Sequence, residues 1–124
     1  KDFPNDDQEL FNLTEFPILD IEQGIETTGG EEMLKQMIEL MLNKTLENDL
    51  KELADAHQNQ DWEKVQKMAH KIKGGIVYVG AIKLKMACQY LERYYKAGNR
   101  KHLEKLYEQV TNVSNETISE FKTI

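Results

Sequence analysis

Lys64-Val65-Gln66-Lys67-Met68-Ala69-His70-Lys71-Ile72-Lys73-Gly74-Gly75-Ile76-Val77-Tyr78-Val79-Gly80-Ala81-Ile82-Lys83-Leu84-Lys85 is the stretch whose reading decides the fold. Together with Trp62 just before it, Val65, Ala69, Ile72, Ile76 and Val79 recur at alternating spacings of three and four, the period of a helix with one buried face. At about 100° per residue these six gather on one side. His70 then points roughly 140° away from their centre, toward water. Gly74 and Gly75 fall inside the same helix, where each costs about 1 kcal/mol relative to alanine. Helical side chains lean toward the N-terminus, so the residue four positions on shades the one before it. Glycine at 74 therefore leaves the His70 imidazole open to a large visitor, and Lys73 stands one turn on with a positive charge. Plainer readings stand beside this one. A surface histidine is often only that, and a helical glycine pair also marks close helix packing or a helix end.

Working outward, the spacing predicts a long helix from about Glu31 to His57, with Glu31 and Glu32 suited to its first turn. Its buried stripe is expected to be Leu34, Ile38, Met41, Thr45, Leu46, Leu50 and Leu53, and Met33, Met37 and Met41 read as core filler rather than a metal box. Gln58, Asn59 and Gln60 make a turn and Asp61 an N-cap for the His70 helix, expected to reach about Val79. Gly80 follows as a left-handed C′ residue. The next helix is expected from about Ile82 to Lys96, with Leu84, Ala87, Cys88, Leu91, Tyr94 and Tyr95 inward or at the edge. Gly98 ends it, and Asn99 is expected to cap a last helix to about Phe121 through Leu103, Leu106, Val110, Val113 and Thr117.

The first 28 or so residues are less regular. Asp2, Asn5, Asp6 and Asp7 suit caps and turns. Leu10, Phe11 and Leu13 suit a short helix broken by Pro17, and Ile18, Leu19 and Ile21 an apolar strap on a core. Asp20 can cap a brief helix from Ile21 to Ile25, with Thr27 to Gly30 as a loop. The expected architecture is all-α: an antiparallel up-down-up-down four-helix bundle over residues 30–124, joined by short loops, with residues 1–29 as a partly helical extension.

At 124 residues the chain is one domain with a modest core. Its net charge of −6 argues against nucleic acid as the main partner. Between Lys64 and Lys85 there are nevertheless six lysines and no Asp or Glu, a basic patch with His70 inside it. The plainer alternative for such a run is a solvated helix face. A single cysteine, Cys88, fits a reducing compartment, and no apolar run approaches the ~18 residues that span a bilayer. No signal peptide is visible, and the chain starts at Lys1 rather than Met, so a piece of a longer protein is expected.

Several chemistries lack their residues. A di-iron bundle needs Glu-x-x-His pairs, yet Ala54, Lys67 and Asn99 stand three before His57, His70 and His102. One Cys and three scattered His make a poor zinc site, and no phosphate-binding glycine loop occurs. Spacing leaves a Ser–His–acid triad open, but a bundle with no evident pocket is a poor host for one. His57 and His102 read as ordinary surface residues. What remains is an exposed imidazole, a side chain that titrates between about pH 5 and 8 and, when neutral, can take and release a phosphoryl group.

Ala69-His70-Lys71-Ile72-Lys73-Gly74, then Gly80-Ala81, Leu84, Cys88 and Leu91-Glu92, resemble the signature of histidine-containing phosphotransfer (HPt) domains of bacterial multistep two-component phosphorelays. Order and spacing match over about 24 residues. Leu19-Asp20, the following glycine pair and the long first helix match as well. The resemblance implies that His70 is phosphorylated, that Lys73 supports the phosphoryl group and that Gly74 permits close approach. The implied partners are response-regulator receiver domains, which bring the phospho-accepting aspartate and the Mg²⁺; the chain itself needs no cofactor or metal. Lys64, Lys67 and Lys71 suit such a partner. Val77 is either an exposed docking contact or buried against the N-terminal segment. Glu92 aligns with a position where the family places a polar residue near the histidine. Gly75 is a departure, since many members have Ser or Ala there. The expected protein is a monomeric, cytoplasmic phosphotransfer intermediate without ATP-binding kinase activity, free-standing or fused to a hybrid sensor kinase. A non-catalytic helical interaction module is the main alternative, and a hydrolase or metal-dependent bundle enzyme a more distant one.

Overall fold

The computed structural model of the chain describes residues 3–124. Lys1 and Asp2, the latter among the expected turn residues and both within the expected extension, lie outside the described residues. Every regular element among the described residues is helical: α1 (Asp7–Leu10), α2 (Ile21–Thr28), α3 (Glu31–Leu40), a π-helical turn (Met41–Thr45), α4 (Leu46–Gln58), α5 (Trp62–Ile76), a 3₁₀ turn (Val77–Val79), α6 (Ile82–Lys96) and α7 (Leu103–Phe121). Consecutive long helices pack on one another, α4 on α5, α5 on α6 and α6 on α7, because three- to six-residue connections leave them no other neighbour. The result is a helical bundle around Leu34, Ile38, Leu53, Val65, Ile72, Leu84, Leu91, Leu106, Val110 and Phe121.

The start of α5 is set by the Asp61 carboxylate, which accepts from the Lys64 backbone N–H at 3.1 Å. Its inward row is as expected: Val65, Ala69, Ile72, Ile76 and Val79 are buried, and Trp62 is half-buried. The α-helix proper ends at Ile76, however, and Val79 belongs to a tighter 3₁₀ turn. Gly74 and Gly75 therefore lie in the last α-helical turn rather than mid-helix.

The expected Glu31–His57 helix is interrupted. Met41 and Leu46 are both buried, yet five residues of α-helix would place them roughly 140° apart. The π turn absorbs the extra residue and returns the second half to the core. Thr45 is turned outward and Leu50 is only half-buried, so neither is a full member of the stripe. The three methionines separate likewise: Met41 is core, Met37 half-buried and Met33 exposed.

The N-terminal segment is laced to the turn between α5 and α6. Asp20 N–H donates to Gly80 O at 2.8 Å, and Lys83 N–H to Pro17 O at 2.9 Å. Ile18 and Leu19, in the strap itself, are half-buried, while Ile21 faces water. Asp20 caps α2 through the Gln23 N–H, and the helix runs three residues beyond Ile25, taking in Thr27 and Thr28. Asp6 caps α1, which ends at Leu10, so Leu13 is a buried loop residue. Gly98 ends α6 at φ +91°, but α7 starts at Leu103 behind His102, so Asn99 is not its cap.

Two glycines are demanded by this lacing. A β-carbon at Gly80 would lie 2.2 Å from Asp20 O, at a φ of +81°; one at Gly24 would lie 2.7 Å from Val79 O. Left-handed backbone alone costs an alanine about 1–2 kcal/mol. Gly80→Ala should therefore lower the unfolding free energy by about 2 kcal/mol or more, measured by urea denaturation; an unchanged midpoint would refute the lock.

Candidate functional site

His70 stands on α5 with 61 % of its side chain exposed. Across the groove, α6 presents Glu92, which is fully buried. Its place was encoded in the register: Leu84, Cys88 and Glu92 lie on one i, i+4 row of α6, so the carboxylate interrupts an otherwise apolar stripe. His70 Nδ1 is 2.8 Å from Glu92 Oε2, Lys73 Nζ 2.9 Å from Oε1, and Lys96 Nζ 3.0 Å from Oε2. Arg93 Nε is 3.9 Å from Oε1.

This arrangement decides protonation. Burial works to raise the Glu92 pKa, but hydrogen bonds from Lys73 and Lys96, with the positive field of Lys73 and His70, outweigh it and hold the carboxyl at about 2. An ionised carboxylate only accepts hydrogen bonds, so Nδ1 carries the proton and donates it to Glu92. In the neutral ring the lone pair is then on Nε2, the nitrogen turned away from Glu92. Lys73, whose side chain is only 14 % exposed, and the more exposed Lys96 bracket the carboxylate. The cluster thus carries more positive than negative charge beside an outward-facing nucleophile.

Gly74 is exposed, and a β-carbon there would meet no heavy atom within 4 Å; the same holds for Gly75. Intramolecular packing therefore does not require either glycine, and the left-handed helix end is supplied six residues after Gly74 by Gly80. Open space beside His70 is what Gly74 provides.

The other sequence-selected residues are placed less simply. Lys64, Lys67 and Lys71 are exposed on α5, but the patch is not left unneutralised. Lys67 is 3.8 Å from Glu63, Lys71 3.2 Å from Asp49 on α4, and Lys83 3.0 Å from Glu116 on α7. Glu63, one residue before the Lys64–Lys85 run on α5, and acids from α4 and α7 supply what the run lacks. Val77 is half-buried, in the 3₁₀ turn that packs against α2. His57 and His102 are not ordinary surface residues. His57 stacks on Tyr107 at 3.7 Å and binds Glu104 at 2.5 Å, while His102 binds Asp7 at 2.8 Å and meets Phe11 edge-on. Both tie distant segments together. Cys88 is buried beneath the cluster, and burial pushes its thiol up to about 12, so it is no competing nucleophile. Among the described residues no three His, Cys, Asp or Glu side chains converge as metal ligands would. Lys96 escaped the sequence reading altogether; its signal was the Glu92–Lys96 pair at i, i+4, acid first.

Two outcomes follow from this geometry. A carboxyl held below its ordinary 4.5 at about 2 contributes stability that is complete above pH 4.5 and fades as pH falls toward 2. Glu92→Gln should remove that contribution, up to about 3 kcal/mol, and flatten stability against pH between about 5 and 2 in urea titrations. Parallel wild-type and variant profiles would contradict the assignment. Gly74→Ala should raise stability by about 0.5–1 kcal/mol, the ordinary helical preference; a loss would mean that the glycine serves the fold after all.

The family model for the Hpt domain matches residues 32–120, most of the chain. No curated protein and no solved structure matches it. Hpt domains are phosphotransfer modules of two-component phosphorelays that interact with receiver domains and lack kinase activity. On the extent of that match, and with an all-helical bundle to carry it, this chain belongs to the Hpt domain family.

Proposed function

We propose that His70 accepts a phosphoryl group from a receiver-domain aspartate and passes it to a second receiver. One observation carries this reading: an exposed imidazole whose Nδ1 is tied to a buried, ionised carboxylate, with Gly74 leaving its flank bare. The Nε2 lone pair attacks phosphorus, the N–P bond forms as the P–O bond to the aspartate breaks, and the freed carboxylate leaves. The Nδ1 proton stays in place, and Glu92 offsets the positive charge that develops on the ring. Lys73 and Lys96, both within reach of the carboxylate that holds the ring, neutralise the phosphoryl oxygens. The receiver brings Mg²⁺ and the acidic pocket; this chain contributes position and charge. Lys64, Lys67, Lys71 and Val77 border the face that the receiver approaches.

The four long helical stretches make an antiparallel up-down-up-down bundle on this reading, with residues 1–29 as a strap and 30–124 as the phosphotransfer unit. No helix among the described residues is long and apolar enough to cross a membrane. The proposed setting is the cytoplasm, as a monomer, free-standing or joined to a hybrid sensor kinase.

Incubation with a phosphorylated receiver should place an acid-labile, base-stable label on the wild-type chain and none on His70→Gln. Nitrogen NMR of the labelled chain should show phosphorus on Nε2 and a retained Nδ1 proton. A label that survives His70→Gln, or one attached at Nδ1, would overturn the site. Gly74→Ala, though stabilising, should slow transfer from the receiver about tenfold or more, as a crowded contact does.

A further inference from the structure

Residues 3–16 form an arm along α6 and α7, outside the span that the family model matches. Its apolar anchors are Leu10 and Leu13, both buried. Leu10 borders a cavity with Tyr94 of α6, and Leu13 borders one with Val113 of α7. Asp7 pairs with His102 Nε2 at 2.8 Å, and Gln109 Nε2 donates to Leu10 O at 3.2 Å. Phe11 meets His102 edge-on, with Lys105 Nζ 6.0 Å from its ring centre. Charge suits the seat as well as shape. From Asp2 to Leu34 there are ten Asp or Glu and no Lys or Arg, and the start of the arm lies beside the basic Arg100-Lys101-His102 turn.

The arm is nonetheless loosely joined to the bundle. Among the described residues, backbone–backbone bonds from Asp6 to Phe16 stay inside the arm: Leu10 N–H to Asp6 O, Asn12 N–H to Glu9 O and Phe16 N–H to Leu13 O. Helix α1 has four residues, too few for a helix to persist by itself. Open cavities of about 540, 360 and 340 Å³ run along the edges of the arm. The residues that follow differ, because Pro17 and Asp20 share backbone bonds with Lys83 and Gly80. A segment with two apolar anchors, open space along its edges and a firm attachment behind it opens locally while the rest stays folded.

We propose that the α6–α7 face is a docking groove for an acidic protein segment of the pattern Asp-x-x-Leu-Phe-x-Leu, and that Asp7 to Leu13 occupy it in cis as an autoinhibitory ligand. The arm itself defines the chemistry: a carboxylate for His102, two leucines for the floor and an aromatic edge between His102 and Lys105. Being tethered, it competes at an effective concentration near millimolar, so a free segment of equal fit enters only weakly until the arm is unseated. The groove is separate from the phosphotransfer site. Round α6, Tyr90 and Tyr94, which border the arm, stand about 160° from Glu92. Occupancy of the groove therefore leaves His70 free, and the inference does not rest on the phosphotransfer reading.

The test adds a fluorescein-labelled peptide of residues 1–16 to full-length chains and reads anisotropy. Wild type, with its own arm seated, should bind the peptide weakly. The chain carrying Leu10→Glu with Leu13→Glu, whose arm no longer seats, should bind it about tenfold or more tightly than wild type does. A peptide that keeps Asp7, Leu10, Phe11 and Leu13 and has serine at its other positions should bind that variant likewise, and a peptide with both leucines changed to glutamate should bind neither chain. Equal affinity of the two chains for the wild-type peptide, or binding of the glutamate peptide, would overturn the groove; failure of the serine peptide would overturn the pattern. Amide hydrogen exchange of the wild-type chain checks the opening without any variant. Residues 7–16 should exchange about tenfold or more faster than the cores of α5, α6 and α7, and exchange of the arm only together with those helices would overturn it as a separable ligand.

Discussion

A carboxylate without solvent is the constraint around which this molecule is arranged. Glu92 is fully buried between α5 and α6, where an unpaired ion would be prohibitively costly. It is ionised only because Lys73, Lys96 and the Nδ1–H of His70 surround it. Those partners come from both helices, so the same contacts that make the charge tolerable also fix the α5–α6 register and hold the imidazole at one angle. A hydrophobic residue on that row would bury more easily, but it would leave the ring free to turn and its tautomer unfixed. The helix pair therefore carries an electrostatic arrangement whose most direct product is a single outward-facing nitrogen.

The glycines divide along the same line. Gly24 and Gly80 exist because backbone atoms of other segments occupy the space of a side chain; they close the strap onto the end of the bundle. Gly74 and Gly75 have empty space there instead. They forgo the helical preference of other residues without any packing gain inside the chain. A local rule broken with no internal compensation is what the proposed close approach of a partner at Gly74 would account for.

Much of this was legible in the residues. Periodicity alone gave the inward row of α5, the limits of α6 and the rows of α7, since each long helix buries one face. The exposed His70 followed from the same angles. The π turn was not legible as such, because five-residue spacing between Met41 and Leu46 looks like an imperfect stripe rather than a change of helix. Glu92 was visible only through alignment with the family, since a charged residue on an apolar row is normally read as an edge. The partners of His57, His102, Lys71 and Lys83 were invisible for a simpler reason. Glu104, Asp7, Asp49 and Glu116 lie between 22 and 95 residues away in sequence, and linear charge runs say nothing of what the fold brings opposite them.

Sharing one carboxylate among three donors has a further consequence for a relay. Lysines standing free beside the imidazole would turn wholly to an arriving phosphoryl group and hold it tightly. Lys73 and Lys96 already have a partner in Glu92, so any contact with phosphoryl oxygens competes with an existing one. On the proposed transfer, the net gain on phosphorylating His70 would then be smaller than the number of cations suggests, and the group correspondingly easier to return to an aspartate. An intermediate that must accept and donate needs near-balance between those states rather than maximal affinity for one. On the proposed phosphotransfer at His70, the buried carboxylate would supply that balance while it orients the ring, which gives an acid a reason to occupy the centre of a site with an anionic cargo.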